Sequence, residues 1–475
     1  MRWRADQSKA NSRLRHVCRL ADAFGGSWGI RPGRHGSHTP CILHPARKQA
    51  GELALPSSSG RRSCPRSRGA ERQRLCHAPL GAWLRSEPRR RPAWDSGIDV
   101  PLIREIHVSS QSVMRAVVLS GHGGLDKLHY REDWPVPVPA VGQVLIRVGA
   151  CGLNNTDINT RTAWYSKSVT DGITPSTGSD GFANARSEEG SWGGAPVRFP
   201  LIQGADVAGT IVGVGEGVDP ARVGERVIVD PWLLGTGDWM DLANAIYFGS
   251  ECDGGFAEYT VIRSGNALRL NTDLSDAELA TFPCAYTTAE NLVARTDLRP
   301  GETVVIAGAS GGVGSAAVQL CRLRGARVVA IASPSKVASL RELGAHAVVD
   351  RNTPALSDAI RSAAGGQVDV AIDVVGGKSF SHLIEALRQG GRYSSSGAIS
   401  GPTVEFDLRQ LIYKDLQLTG ATIVPPGTAK RLVGLIEQGL LKPLLAAQYP
   451  LRELPQAQQA FMDKQHVGNI VVTTH

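Results

Sequence analysis

Residues 302–336, ETVVIAGASGGVGSAAVQLCRLRGARVVAIASPSK, contain the pattern that decides the fold. Their first part, Thr303–Ala307, is a short run rich in β-branched residues, which is typical of a strand buried in a parallel sheet. A glycine-rich turn follows, and Ser315–Arg324 then carries apolar residues on one helical face. Arg327–Ala332 has the composition of a second strand. This order of strand, turn, helix and strand predicts the first half of a nucleotide-binding α/β unit.

The turn between the first strand and the helix has glycines where a bound pyrophosphate requires them. Gly311 and Gly312 allow the backbone to turn sharply and to approach the phosphates, and Gly314 allows the helix to pack closely on the strand. The start of the helix also offers free N–H groups and a partial positive charge. The residues predicted to contact the cofactor here are Ala309, Ser310, Gly311, Gly312, Val313 and Gly314. The alternative is a glycine turn with a purely structural role.

The end of the second strand bears on the choice between NAD and NADP. A site for NAD usually has Asp or Glu there, which binds the ribose hydroxyls. This chain has Ala332-Ser333-Pro334-Ser335-Lys336 instead, with no acidic residue. The hydroxyls of Ser333 and Ser335 and the ammonium of Lys336 suit a 2′-phosphate, so NADPH is the predicted cofactor. Alternatively, the segment only caps the next helix.

Charge is distributed unevenly along the 475 residues. Residues 1–113 contain 21 of the 52 Lys and Arg and 8 of the 44 Asp and Glu, a net charge of +13, whereas the remainder has a net charge of −5. The mildly acidic remainder gives no electrostatic reason to expect nucleic acid binding. No apolar run reaches the roughly 18 residues needed to span a bilayer. The four cysteines after Met114 are scattered, which suits reduced thiols in the cytoplasm.

Residues 1–113 are rich in Arg, Ser, Pro and Gly and show no sustained period of 2 or 3.6. Such a composition cannot bury a core, so we expect this segment to be disordered. Three interpretations are open: a targeting segment, a basic tail for an acidic partner, or a stretch that is not made, with the true start at Met114. The abrupt change at Met114, followed at once by the strand-like Arg115–Leu119, favours the third.

The chain after Met114 is predicted to form two domains. Residues 114–284 contain mostly strand-like runs and indicate a β-rich domain, completed by residues 424–475 with a final strand at Asn469–Thr473. Residues 285–423 alternate strands and helices, which predicts a doubly wound parallel sheet. The predicted fold class is therefore α/β.

Several motifs together carry a family resemblance. They are MRAVVLSGHGG (114–124), NNTDIN (154–159), GADVAGTIVGVG (204–215), ARVGERVIV (221–229), GGFAEYTVI (254–262), GASGGVG (308–314), LRELGAHAVVD (340–350), IDVVGG (372–377) and HVGNIVV (466–472). With them, the chain from Met114 to His475 resembles the medium-chain dehydrogenase/reductase superfamily, and within it the zinc-free quinone and enoyl reductases. The resemblance implies a GroES-like substrate domain interrupted by a Rossmann domain, with the active site in the cleft between them.

The chain departs from the zinc-dependent alcohol dehydrogenases of that superfamily. Their catalytic zinc ligands correspond here to Asn154, Ala205 and Cys284, and one soft ligand out of three cannot hold zinc. We therefore expect no metal, and we interpret Cys284 as a small buried residue near the cleft. Asp157 is interpreted as capping the helix that begins beside it. An alcohol dehydrogenase that holds zinc through other ligands is the enzyme alternative.

The chemistry implied without a strong Lewis acid is hydride transfer from NADPH to a quinone or to the activated C=C bond of an enone, enal or enoyl thioester. That reaction needs hydrogen-bond donors at the carbonyl oxygen and a proton for the α-carbon. The resemblance makes Tyr165 the candidate donor and places Asn154 in the wall of the active site. Thr287 and Thr288 are expected to line the nicotinamide pocket, with Thr288 counted among the catalytic residues.

Residues 166–198 form a long stretch of Gly, Ser, Thr and Asp that looks too polar to pack and too long for an ordinary connector. Since the resemblance places its flanking segments near the substrate, we expect a mobile loop at the mouth of the cleft. As partners we expect a small-molecule substrate and a second copy of the chain in a homodimer, and neither nucleic acid nor membrane. The non-enzyme alternative is a crystallin-like protein that keeps only the nucleotide fold.

Overall fold

The computed structural model describes residues 112–185, 191–192 and 196–474. The predictions for residues 1–111 fall outside these ranges and stay predictions. Within the described ranges, no helix is both long enough and apolar enough to cross a bilayer.

The regular elements fall into three consecutive stretches of the chain. The first contains β1 (Val113–Leu119), β2 (Leu128–Pro135), β3 (Gln143–Gly152), α1 (Asn155–Thr162), α2 (Pro175–Asp180), β4 (Leu201–Ile202), β5 (Asp206–Val214), β6 (Arg226–Val229), β7 (Trp232–Leu234), β8 (Ala245–Tyr247), β9 (Tyr259–Arg263), β10 (Ala267–Arg269) and α3 (Asp276–Leu279). The second contains α4 (Pro283–Ala294), β11 (Thr303–Ile306), α5 (Gly312–Leu323), β12 (Arg327–Ala332), α6 (Val337–Leu343), β13 (Ala347–Asp350), α7 (Leu356–Ala364), β14 (Val368–Asp373), α8 (Ser379–Ala386), β15 (Leu387–Ser395), α9 (Leu408–Tyr413) and β16 (Gln417–Gly420). The third contains α10 (Thr428–Glu437), β17 (Leu445–Pro450), α11 (Leu454–Asp463) and β18 (Asn469–Thr473).

The β-rich part of the chain is built around β3. In the larger sheet the strands follow the order β10-β6-β5-β3-β18-β17, and β9 also pairs with β3. A smaller sheet has the order β2-β1-β4, and β7 pairs with β8. Val144, Ile146 and Val148 alternate along β3 and are buried in one core with Ile211 and Phe256, as expected for a strand with one face on the core. This is the β-rich domain that the sequence predicts.

The last strand closes this sheet from the far end of the sequence. Val471 of β18 pairs with Gly152 of β3, and Thr473 pairs with Ala150, in an antiparallel register. The prediction that the final strand returns to the first domain is therefore confirmed. The division into residues 114–284 with 424–475 on one side and 285–423 on the other stays a prediction.

The second stretch forms a six-stranded, entirely parallel sheet. Its strand order is β13-β12-β11-β14-β15-β16. Val304 and Ile306 of β11 face one hydrophobic core together with α5, and Val305 faces a second core on the other side. Because both faces are covered, the strands are apolar on both sides. The doubly wound parallel sheet is confirmed, and its strand order reverses between β11 and β14, where such sheets bind ligands.

The prediction that residues 166–198 are too polar to pack is wrong for residues 166–185. This segment contains α2, which begins after Thr174, whose side-chain oxygen accepts the N–H of Thr177. The buried guanidinium of Arg161 donates to the carbonyl of Gly178 at 2.7 Å. A Cβ on Gly178 would lie 2.0 Å from the sulfur of Met462, so α2 rests directly on α11. The segment packs through backbone groups and small residues, which hydropathy patterns do not reveal.

The same segment also reaches the parallel sheet and the interior of the β-rich part. The N–H of Ile173 donates to the carbonyl of Ile399, beyond the end of β15, at 2.9 Å. Further along, Trp192 packs edge-to-face on Trp232 with 5.3 Å between ring centroids. The described part of the 166–198 segment is thus held by several contacts. Two of them, with Ile399 and with Trp232, lie close to the candidate active site.

Candidate active site

A cavity of about 480 Å³ lies between the β-rich part of the chain and the carboxyl edge of the parallel sheet. Its lining includes Asn154 and the start of α1 on one side, and Gly312, Val313 and Val374 on the other. Crevices at the switch point of a parallel sheet are the usual ligand sites of such folds. Aromatic side chains supply much of its wall: Trp164, Tyr165, Trp192, Trp232, Tyr247 and Phe461. None of its lining residues in the described chain is Lys, Arg, His, Asp or Glu.

The three residues predicted to be catalytic meet in this cavity. Asn154, Tyr165 and Thr288 all line it. Asn154 precedes α1, whereas Thr288 is on α4, about 130 residues later in the chain. Thr287 does not line the cavity, because its buried hydroxyl donates to the carbonyl of Pro283 at 2.6 Å within the same helix. The prediction for Thr287 is therefore wrong: its hydroxyl is bonded within α4, whereas Thr288, about 100° further round the helix, lines the cavity.

Tyr165 follows α1 and is partly buried in the cavity wall. Its hydroxyl donates to Thr156 Oγ1 at 3.2 Å. Burial raises the pKa of the phenol to about 12, while the hydrogen bond with Thr156 acts in the opposite direction. Tyr165 consequently holds its proton at neutral pH and can serve as a hydrogen-bond donor.

Asp157 stabilises the start of α1, but in a different way from the one predicted. Asn154 is the residue before the helix, and Asp157 is three residues on, where its Oδ2 accepts the backbone N–H of Asn154 at 2.7 Å. Asp157 is thus the acidic member of a capping box and not the N-cap itself. Its carboxyl is buried, and burial raises its pKa to about 7.

A second buried acid, Asp206, joins the β-rich part to α4. Its Oδ1 accepts the backbone N–H of Cys284, near the start of α4, at 2.7 Å. Burial raises the pKa of Asp206 to about 8, and the side chain of Asn154 and the N–H of Cys284 oppose that rise. Sequence reasoning missed Asp206, although its place in the motif GADVAG, directly after Ala205, was a usable signal.

Two of the three positions that the resemblance relates to zinc ligands offer no usual zinc donor. Ala205 is buried and has no donor atom, and Asn154 offers only an amide. Burial raises the pKa of the Cys284 thiol well above its ordinary value, so the sulfur is protonated rather than a thiolate. Among the described residues, no group of three or more His, Cys, Asp or Glu is arranged to hold a metal ion.

The glycine turn has the shape that a dinucleotide requires. Gly311 precedes α5 and caps it with no side chain, so the first N–H groups of this helix remain available to a phosphate. A Cβ on Gly314 would lie 2.1 Å from the carbonyl of Gly308, and one on Gly312 would lie 2.0 Å from Asn469 Oδ1. Gly312 and Val313 also line the cavity. These residues fit a pyrophosphate at the helix N-terminus.

Two other predicted contacts in the turn are already engaged within the chain. The N–H of Ala309, which is fully buried, donates to the carbonyl of Ile331 at 3.3 Å. The carbonyl of Ser310 accepts the N–H of Gly468 at 3.0 Å, while its hydroxyl lies 3.4 Å from Lys336 Nζ. The backbone of Ala309 therefore holds the turn against β12. The hydroxyl of Ser310 stays beside the turn, near Lys336.

The three residues predicted to bind a 2′-phosphate, at the end of β12, differ in how deeply they are buried. Ser333 is half-buried, Ser335 is exposed and Lys336 is buried. The ammonium of Lys336 donates to the carbonyl of Lys464 at 2.7 Å. Neither serine caps a helix with its side chain in the described structure, which removes the main support for the capping alternative.

Several cavity residues were not found from the sequence. Trp192, Trp232 and Tyr247 form a row of edge-to-face contacts, with ring centroids 5.3 Å and 5.0 Å apart. They come from separate loops and strands, and nothing local marks them as neighbours. Phe461 and Asn469, from α11 and β18, were missed for the same reason.

Comparison with known proteins agrees with this geometry. The family model of the alcohol dehydrogenase GroES-like domain matches residues 140–272, and that of the zinc-binding dehydrogenases matches residues 312–438. A crystal structure from Sinorhizobium meliloti 1021, described as a candidate alcohol dehydrogenase, is 45% identical. The match covers 78% of this chain and 99% of the Sinorhizobium chain, with a TM-score of 0.71.

Two functionally named relatives are more distant in sequence. Acryloyl-coenzyme A reductase of Metallosphaera sedula is 28% identical over 370 residues, which is 76% of this chain and 100% of the relative. Human quinone oxidoreductase is 28% identical over 360 residues, which is 74% of this chain and 94% of the relative. The fold, the glycine turn and the cavity beside it define a nicotinamide-dependent oxidoreductase of the two-domain type. The chain belongs to the medium-chain dehydrogenase/reductase superfamily.

Proposed function

We propose that the protein is an NADPH-dependent reductase of quinones or of activated C=C bonds, and that it works without catalytic zinc. The observation that carries the proposal is the cavity wall: three uncharged hydrogen-bonding side chains, Asn154, Tyr165 and Thr288, lie beside Gly312 and Val313 of the glycine turn. A substrate carbonyl in this cavity would meet donors, and its conjugated carbons would lie toward the nucleotide. The named reductases of quinones and of acryloyl-CoA among the relatives support the same reaction class.

In this proposal, bound NADPH supplies the hydride. The residues of the chain bind the substrate oxygen and supply a proton. Tyr165 is assigned both tasks, because its phenol is protonated at neutral pH and its side chain lines the cavity. Thr288 and Asn154 add further hydrogen bonds to an oxygen that gains negative charge, and such donors are most effective in a site shielded from water.

The proposed absence of zinc rests on donor chemistry. A catalytic zinc site needs three protein ligands, usually thiolate, imidazole or carboxylate. Ala205 contributes none, Asn154 offers only an amide, and Cys284 is the single soft ligand of the three positions. The acids nearby, Asp157 and Asp206, already accept backbone N–H groups.

The preference for NADPH rests on the end of β12. Ala332 stands where an acid would bind the ribose of NAD, and Ser333 and Lys336 are close by. The ammonium of Lys336 lies 3.4 Å from Ser310 Oγ of the glycine turn, so a positive charge is present beside the expected path of the nucleotide. A 2′-phosphate would be attracted by that charge and would meet no carboxylate from this segment.

The shape of the cavity favours a flat, uncharged substrate. Its aromatic walls and the lack of charged lining residues in the described chain suit planar conjugated molecules. Trp192, from the 166–198 segment, forms part of this wall. We therefore propose that the segment helps to select the substrate.

Two alternative functions would give experimental results different from those of the proposed reductase. An alcohol dehydrogenase reaction is favoured by the 45% identical Sinorhizobium structure, and it would require stoichiometric metal in the purified protein. A crystallin-like role would leave NADPH binding intact with no turnover of any substrate.

The test is NADPH and NADH oxidation, with metal content measured on the same sample, over quinones, enones, enals, enoyl thioesters and simple aldehydes. Reduction of the conjugated substrates by metal-free protein supports the proposal, and activity only on aldehydes with bound metal contradicts it.

We also propose a homodimer formed at the β16 edge of the parallel sheet. β16 is the last strand in the sheet order, so its outer backbone groups are free to pair with another chain. Leu408 and Ile412 of α9 are each 61% exposed, and Tyr413 is 74% exposed. An apolar patch beside an open strand edge is typical of an interaction surface. A second copy of this chain would cover both.

Residence in the cytoplasm is proposed from the cysteines. The four in the described chain, Cys151, Cys252, Cys284 and Cys321, are all free thiols. Free thiols without disulfides are usual in reducing compartments.

A further inference from the structure

Three aromatic side chains of the cavity wall form a row from Trp192 through Trp232 to Tyr247. The ring centroids are 5.3 Å apart in the first pair and 5.0 Å apart in the second, and both pairs meet edge-to-face. Trp232 and Tyr247 are partners in the pairing of β7 with β8. Trp192 lies outside any helix or strand, so the position of its ring is set by its side-chain contacts.

Glu251 joins the two ends of this row. Its Oε2 accepts the backbone N–H of Tyr247 at 2.8 Å, and its carboxyl also accepts a hydrogen bond from Trp192, whose side chain has the indole N–H as its donor. Burial raises the pKa of the Glu251 carboxyl, while these two hydrogen bonds and one from Ser250 oppose the rise. Glu251 is not one of the residues that line the cavity. The carboxyl group therefore holds the aromatic wall from behind.

The turn that carries Glu251 is closely packed on the β-rich part of the chain. A Cβ on Gly249 would lie 2.7 Å from the carbonyl carbon of Gly204. Ser250 Oγ lies 3.3 Å from Thr160 Oγ1 of α1, and both residues are buried. The turn thus gives Glu251 a fixed position beside the cavity.

We propose that Glu251 is a positioning residue that fixes the Trp192 indole in the cavity wall, and that this contact selects planar aromatic quinones over small aliphatic enones. The inference rests on the proposed function, because it names the substrate class of the same cavity. An indole held in one orientation offers a flat surface to the ring of an aromatic quinone. A small enone depends only on the hydrogen-bonding side chains Asn154, Tyr165 and Thr288. The Trp192 contact should therefore affect ring binding and not the chemical step.

The test measures the dissociation constant of naphthoquinone for the full-length protein. It also measures kcat and KM with NADPH for naphthoquinone and for methyl vinyl ketone, a small aliphatic enone. Glu251→Met removes both acceptor oxygens and keeps a side chain of similar length. Trp192→Phe keeps an aromatic ring and removes the indole N–H, so it breaks the contact without altering the turn. The double variant combines the two changes.

Two control variants match these substitutions. Asp253→Leu removes another acid of the same turn, which accepts the N–H of Ile202 at 2.9 Å and does not line the cavity. Trp134→Phe makes the same aromatic exchange on β2, at a position that does not line the cavity.

Glu251→Met and Trp192→Phe should each raise the dissociation constant and the KM of naphthoquinone about two- to tenfold, the effect of one lost hydrogen bond. The values of kcat, the affinity for NADPH and the KM of methyl vinyl ketone should change by less than about twofold. The double variant should bind naphthoquinone no more weakly than the weaker single variant, because both substitutions break the same contact. Both controls should bind naphthoquinone as the unaltered protein does.

Unchanged naphthoquinone binding by Trp192→Phe would overturn the inference, and so would losses that add up in the double variant. A loss for Asp253→Leu equal to that for Glu251→Met would also overturn it, because the effect would then come from general packing of the turn. Failure of the unaltered protein to bind naphthoquinone overturns it as well. If the unaltered protein binds naphthoquinone but oxidises NADPH with no substrate, the proposed function fails, and the dissociation constants still decide the role of Glu251.

Discussion

The hydroxyl of Tyr165 lies 3.2 Å from Thr156 Oγ1, and both residues face the same cavity. Thr156 is on the first turn of α1, next to Asn155 and Asn154, so the phenol is held in place by the helix that begins at the cleft. In this contact the phenol proton points to Thr156 Oγ1, and in the proposed reaction it would turn to the substrate. Tyr165→Phe removes the hydroxyl and keeps the ring, so the role of the hydroxyl can be tested without a loss of packing.

Tyr165→Phe should lower kcat on an enone or an enoyl thioester by about 10² to 10⁴, because a positioned proton donor is removed. Quinones should be less affected, since their reduced oxygens can take protons from water. NADPH affinity and the melting temperature should be unchanged, and Tyr413→Phe, at an exposed position, serves as the control. A loss of less than about threefold on every substrate would remove Tyr165 from the mechanism.

Lys336→Ala should weaken NADPH binding by about tenfold or more and leave NADH almost unchanged, because only NADPH carries the 2′-phosphate. Fluorescence titration of both nucleotides measures this directly, with Lys430→Ala as the surface control. Equal losses for both nucleotides would show that Lys336 acts only through the segment that it holds, by its bond to the carbonyl of Lys464.

Trp192→Ala should raise KM for an aromatic quinone by about two- to tenfold, the range expected for the loss of one aromatic contact. A small aliphatic enone should be affected less, and NADPH affinity should not change. Leu242→Ala, which alters an aliphatic residue of the same cavity, is the matched control. An unchanged substrate profile would show that the 166–198 segment has no part in selection.

The contribution of Asp206 to the stability of the folded protein should decrease as the pH rises. Its pKa in the folded protein is about 8, above the value of about 3.9 for an unfolded Asp. Because the folded state binds the proton more tightly, this stabilising contribution is complete below about pH 4 and decreases until about pH 8. Asp206→Asn keeps an acceptor for the N–H of Cys284 and carries no charge.

The melting temperature of Asp206→Asn should therefore fall less than that of the unaltered protein between pH 5 and pH 8, by about 2 °C or more. Asp206→Ala, which also removes the acceptor, should be destabilised throughout this range. Parallel pH profiles for Asp206→Asn and the unaltered protein would contradict the raised pKa.

The double substitution Leu408→Glu with Ile412→Glu should convert the proposed dimer into a monomer, because charges would be buried against an apolar partner. Light scattering after gel filtration gives the mass. Val138→Glu, at a position that is 67% exposed on the β-rich part, is the control. A monomeric mass for the unaltered protein would show that this surface has another use.

The parallel sheet was predictable because its signals are local. Strand, glycine turn and helix follow one another in Thr303–Leu323, and each is marked by composition and period. The return of the final strand to the first domain was predicted, but its pairing with β3 was not, since no local pattern indicates a pairing over more than 300 residues.

The candidate site was predictable only in part. Tyr165, Asn154 and Thr288 were found because they lie in or near motifs, and they do share one cavity. The aromatic row of Trp192, Trp232 and Tyr247 was not found, because its members come together only through tertiary packing. The packing of residues 166–185 was missed because it depends on backbone carbonyls and on glycines such as Gly178, which a hydropathy pattern scores as polar or neutral.

The pairing of β18 with β3 has a consequence for how the chain folds on the ribosome. During synthesis β3 emerges well before its sheet neighbour β18, which follows the whole parallel sheet in the chain. The parallel sheet, in contrast, is formed from one continuous stretch of chain, and its helices and strands can assemble as soon as β16 has emerged. We therefore expect the nucleotide-binding sheet to fold during translation before the β-rich part can complete its own sheet with β18.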